Sequence, residues 1–310
     1  MGQLIKLRDY ISRYEIDPYH YSGQYVRLKK HQWQLLNKAW EERNFDSFIV
    51  SPPAAEKEEE KPSFWGGKWF RKPAEAAADD EPAEEREEGP DMTFAYVPSS
   101  NEELRHAFLD NIYRFQLKWA SSTIREESDF DRKHYYDEVL QFFLKRLPDH
   151  NLYMHLPVFE LKNAAVETGS ILVTPSGIQC IAWVAGKKEA ILEGSNERFW
   201  VMKNRKSTSK ILNPLLGLNR TYAIVNQILA GRGVDFPVVK RLVFENGYAD
   251  FQVMPYKVEV TDKRNFQEWF ERMRALSSPV KHDQLKAAKV LLDHTATRSK
   301  IRSGWDDLAD

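Results

Sequence analysis

Leu4, Leu7, Ile11 and Tyr14 recur at helical spacing and predict a helix over residues 3–16, broken at Asp17-Pro18. Tyr25, Leu28, Trp33, Leu36 and Trp40 predict a second helix over residues 24–43. A capping-box pattern at Ser100 and Glu103 precedes Leu104, Phe108, Ile112, Phe115 and Trp119 on one helical face. Tyr136, Val139, Leu140, Phe143 and Leu147 predict a helix over residues 132–146. The period then shortens. Residues 152–161 read as one strand in which His155 and Glu160 are the polar members, His155 as a hydrogen-bonded structural residue. Ile171 to Val173 and Ile178 to Val184 are apolar runs joined by Thr174-Pro175-Ser176-Gly177, which predicts a buried β-hairpin. Phe199 to Met202 suggests a short strand. Asn213-Pro214 opens a helix that Gly231 and Gly233 close. Residues 237–244 and 249–260 read as strands about the turn Glu245-Asn246-Gly247. Phe266, Trp269, Phe270 and Met273 predict one more helix, and Leu285, Ala288, Val290, Leu291 and Leu292 another.

The pattern divides the chain into a helical hairpin (1–50), a linker (51–95), a helical segment (96–131), an α/β core (132–262) and a helical tail (263–310). Composition changes the picture at the linker. Residues 51–92 hold 13 acidic and 6 basic side chains. From totals of 46 and 45, this leaves 33 and 39 elsewhere, so a mildly basic body carries an acidic tether. That excess suits weak phosphate attraction but is ordinary for a protein surface and is not a strong nucleic-acid signature. Inside the linker, Phe64, Trp65, Trp69 and Phe70 stand beside Arg71 and Lys72. Such anchors suit a partner groove, the protein's own surface, or an anionic membrane. Tyr14, Tyr21 and Tyr25 lie near Arg27, Lys29 and Lys30. They read either as a surface that stacks bases and pairs phosphates, or as the docking face of a helical hairpin.

Cys180 is the only cysteine, so no intramolecular disulfide forms, and its apolar strand makes it a small buried hydrophobe. No apolar run reaches the ~18 residues of a membrane span, and the N-terminus lacks a signal-peptide core. A cytoplasmic protein is the expectation.

Around the hairpin the chain resembles the nuclease-related domain (NERD) family of restriction-endonuclease-like metal nucleases. The resemblance rests on the turn at Thr174 to Gly177, on Trp200, on Asn213-Pro214-Leu215 with its helix, and on Phe236-Pro237-Val238 to Leu242-Val243-Phe244. It implies an α/β fold: a mixed β-sheet flanked by helices, with a restriction-endonuclease-like core and helical N- and C-terminal extensions. The implied chemistry is absent. Gly169 stands where the family has its Asp, Ala182 at its Glu and Val184 at its Lys. Mg²⁺ needs hard oxygen ligands that these residues lack.

The expected function is therefore a catalytically inactive nuclease-like binding or scaffolding module, on DNA or a DNA-processing complex, with no metal and no small-molecule cofactor. A protein partner and DNA are the expected partners, and a membrane is not. Two alternatives stand beside it. One is an active nuclease using Mg or Mn at a site rebuilt from Glu167, Asp137, Glu138 and Lys187. The other is a pure protein-interaction factor. Zinc-type spacings and Ser–His–Asp arrangements are not evident.

Overall fold

A computed structural model describes residues 1–49, 90, 92–162, 164–276 and 278–303. The chain opens with strand β1 (Gln3–Leu7), the short helix α1 (Arg13–Ile16), α2 (Pro18–Glu41) and α3 (Asn101–Trp119). After β2 (Glu126–Glu127), a 3₁₀ turn at Arg132–Tyr136 leads into α4 (Glu138–Arg146). Next come β3 (Leu152–His155), β4 (Val158–Leu161), β5 (Ala164–Glu167), β6 (Ser170–Thr174) and β7 (Gly177–Trp183). Three strands, β8 (Ile191–Gly194), β9 (Phe199–Lys203) and β10 (Thr208–Leu212), precede α5 (Pro214–Gly231). The chain ends with β11 (Val238–Phe244), β12 (Tyr248–Phe251), β13 (Val258–Asp262), α6 (Phe266–Ala275), α7 (His282–Leu292) and β14 (Lys300–Ile301).

The fold is mixed α/β. Six strands pair in the order β1-β3-β6-β7-β11-β13. Only β6 runs against the others, because the hairpin reverses it between β3 and β7. Thr174 pairs with Gly177, so Pro175-Ser176 is the turn. The expected hairpin is thus present. Side chains alternate across this sheet. Leu152, Met154, Ile171, Val173, Ile178 and Cys180 join one apolar core with α2, α3, α5 and α7. Tyr153, Leu172, Ile181 and Val243 join the other with α4 and α6. A second sheet, β10-β9-β8-β12, closes over Leu192, Trp200 and Phe244.

Four elements differ from the sequence reading. Residues 3–7 are a strand because β3 offers a parallel edge and all five side chains are buried. Tertiary burial overrides a helical spacing that short runs mimic easily. The strand expected over 152–161 splits into β3 and β4, since Leu156 takes a positive φ of 47° ahead of Pro157. The Asn246-Gly247 turn joins no hairpin: β11 pairs in the large sheet and β12 in the small one. Asp17-Pro18 does not simply end a helix. It starts α2, with Asp17 accepting from the Tyr19 and His20 N–H groups and Pro18 in the first turn.

Candidate functional site

Five strands point their carboxyl ends to one edge of the large sheet, which is where open α/β sheets place their ligands. His155 ends β3 there, beside Ser170 at the start of β6. Asp137 is the N-cap of α4, and its Oδ1 accepts from the Leu140 N–H at 2.8 Å. The capping anchors the carboxylate at the helix's positive end. Its Oδ2 lies 3.3 Å from His155 Nε2. His134, in the preceding 3₁₀ turn, completes the group, and donor atoms of all three residues lie within 4.8 Å of one another.

His134 and His155 are 2% and 3% exposed. The Asp137 side chain, 28% exposed, is the most open of the three. Burial, then the neighbouring His155 and Lys133, pushes the His134 imidazolium down to about 4, so this ring is neutral near pH 7. Burial raises the Asp137 carboxyl. The His155 ring, the Leu140 N–H and the charge of both histidines outweigh that, and it sits below the usual carboxylate range. Tyr153 Oη donates to Ser170 Oγ at 2.9 Å and lies 3.1 Å from His155 Nδ1. Neither ring nitrogen of His134 has a hydrogen-bond partner among the described residues, nor has His155 Nε2.

Of the candidate site residues read from the sequence, only Asp137 belongs to this cluster; His155, read as structural, belongs to it too. Gly169 donates its N–H to Thr221 Oγ1, and a Cβ there would stand 3.0 Å from the Ile181 carbonyl oxygen. Ala182 and Val184 pack into the apolar cluster around Trp200 and Phe244. Glu167 is not on the hairpin strand. It ends β5 in the small β4–β5 pair, where it meets Arg8 at 3.1 Å. Glu138 lies near Glu245, and Lys187 is exposed in the loop after β7. Glu167, Asp137, Glu138 and Lys187 therefore do not form one cage. Tyr14, Tyr21 and Tyr25 are buried, so the stacking surface is corrected to a docking face: Tyr14 and Tyr21 pack on Trp119. Lys29 pairs with Asp149, while Arg27 and Lys30 are exposed. Trp65, Trp69, Arg71 and Lys72, with the acidic linker around them, lie outside the described residues. No helix among the described residues is long and apolar enough to cross a membrane.

Sequence reasoning missed His134 and set His155 aside. One local signal was available: His134 stands three residues before a helix-capping Asp.

No family model and no solved structure matches the chain. A curated relative from Geobacillus stearothermophilus, named RNA 2',3'-cyclic phosphodiesterase, is 40% identical over 121 residues. The match covers 37% of this chain and 36% of the relative, so it spans about a third of that protein. This relative overturns the nuclease-related assignment and, with it, the inactive DNA scaffold and both of its alternatives. A hairpin with a Pro-x-Gly turn between buried strands answers to core and turn chemistry, which many functions share.

Proposed function

We propose that the chain hydrolyses 2',3'-cyclic phosphodiester ends of RNA at the His134–Asp137–His155 cluster. The carrying observation is the convergence of two buried histidines and a capping carboxylate at the carboxyl edge of the sheet. The relative's name supplies the substrate class. Ring opening adds one water: an oxygen attacks phosphorus, one ribose P–O bond breaks, and the departing oxygen takes a proton. That chemistry needs an activated water, groups that meet charge on the phosphoryl oxygens, and an acid. The cluster is where water is activated. Arg8, whose backbone N–H donates to the His155 carbonyl and whose guanidinium meets Glu167, stands at the same edge. Tyr136, 80% exposed and next to Asp137, offers a ring on which the terminal base stacks.

The test is an RNA oligonucleotide with a cyclic phosphate end. Opened ends become sensitive to phosphomonoesterase, and the proposal expects release of inorganic phosphate after the coupled digestion. A substrate that stays resistant after prolonged incubation with the full chain overturns it.

A further inference from the structure

We propose that His134, Asp137 and His155 bind one divalent transition-metal ion, with zinc the preferred occupant. Zinc holds nitrogen and oxygen ligands at about 2.0–2.2 Å, so tetrahedral ligand atoms stand about 3.3–3.5 Å apart. His155 Nε2 and Asp137 Oδ2 have that spacing already, at 3.3 Å. The His134 donor lies within 4.8 Å of both.

Two further observations point to a cation. The Asp137 carboxylate divides its oxygens: Oδ1 caps α4 through Leu140, which leaves Oδ2 for the cluster. The tautomer of His155 follows from its neighbours. Because Tyr153 Oη donates to Ser170, it is left as the acceptor for a proton on His155 Nδ1. The His155 Nε2 then carries the lone pair, has no hydrogen-bond partner among the described residues and stands 3.3 Å from Asp137 Oδ2. A ligating histidine held through its other nitrogen is the usual outer support of a metal site. His134 adds a buried ring with both nitrogens unpartnered among the described residues, one of which a metal bond satisfies.

The donor set selects the ion. Two imidazoles and one carboxylate suit zinc and its first-row neighbours; magnesium and calcium require oxygen ligands throughout. Three protein ligands leave a position for water, reached from the exposed side of Asp137. Zinc lowers the pKa of such a water to about 7, which yields hydroxide at neutral pH. This catalytic role rests on the proposed cyclic-phosphate reaction; the binding itself rests on geometry.

The experiment uses the full chain, stripped with chelator, loaded with zinc chloride and freed of excess by gel filtration. Metal content and calorimetric titration are the readouts. Wild type is expected to retain one zinc per chain, with added millimolar Mg²⁺ failing to displace it. Asp137→Asn keeps the α4 cap, since Asn caps as well as Asp, and loses the charge. It is expected to bind at least tenfold more weakly, and His134→Ala likewise. No retained zinc in wild type, or equal zinc in wild type and both variants, overturns the site. Zinc held by these residues without ring opening supports the metal site and overturns the reaction. Ring opening by protein shown to be zinc-free overturns the ion's catalytic role and leaves the reaction standing.

Discussion

Asp262 illustrates how single side chains are fixed in this molecule. It is 2% exposed, accepts from the Ala249 and Arg264 N–H groups and pairs with the Arg264 guanidinium. Burial raises its carboxyl, but these partners outweigh that and hold it below the usual range. A folded-state value below the unfolded ~3.9 adds stability above that pH, which is lost as pH falls through the folded value. Asp262→Asn is expected to cost about 2 kcal/mol at pH 7. Urea midpoints from pH 7 to pH 3 should show the gap to wild type closing below about pH 4. A gap that stays constant contradicts the assignment. At this scale the sequence was partly legible. Cys180 is the buried, inert thiol expected, its pKa pushed up to about 12 by burial. Asn213 does cap α5, accepting from the Leu215 N–H. The histidine cluster was not legible, because its two rings come from different elements that meet only after α4 docks on the sheet.

At the scale of elements, the apolar pattern located the hairpin and most of the helices, but it could not assign partners. β1 reads as a helix until β3 is placed beside it. The capping box at Ser100 is half right. Ser100 accepts from the Glu103 N–H as expected, whereas the Glu103 carboxylate bonds Ser99 instead. Gly169 tests what the central strands tolerate. The Ile181 carbonyl that an added Cβ would approach belongs to β7, which is held on both sides by β6 and β11. Gly169→Asp, which restores the acid of the nuclease-related pattern, is expected to destabilise the protein by about 1–3 kcal/mol. A urea midpoint equal to wild type would mean that β7 yields at this point.

At the scale of the molecule, both ends of the described chain meet at the edge of the large sheet. Lys6 on β1 is fully buried and pairs with Glu15 from α1, and its ammonium also donates to Thr297. Arg298 pairs with Asp9, and β14 pairs with β2. Of the basic residues of the tail, Arg298 is thus tied to Asp9 near the start, while Lys300 and Arg302 pair with Asp129 and Glu127. Removing one member of a buried pair strands the other charge. Lys6→Ala is expected to cost about 3 kcal/mol, and Lys6→Met with Glu15→Gln distinctly less. Thermal unfolding of the two variants checks this, and equal losses contradict it. The same edge carries the site, because β1 and β3 run parallel and bring Arg8 beside His155. The central claim is that this edge opens cyclic phosphates, and His155→Gln tests it most directly. Mass spectrometry of a cyclic-ended RNA, incubated with zinc-supplemented protein at neutral pH, follows the gain of one water over time. The account predicts conversion by wild type and a rate at least about 100-fold lower in a folded variant. Equal rates in the two proteins would contradict it.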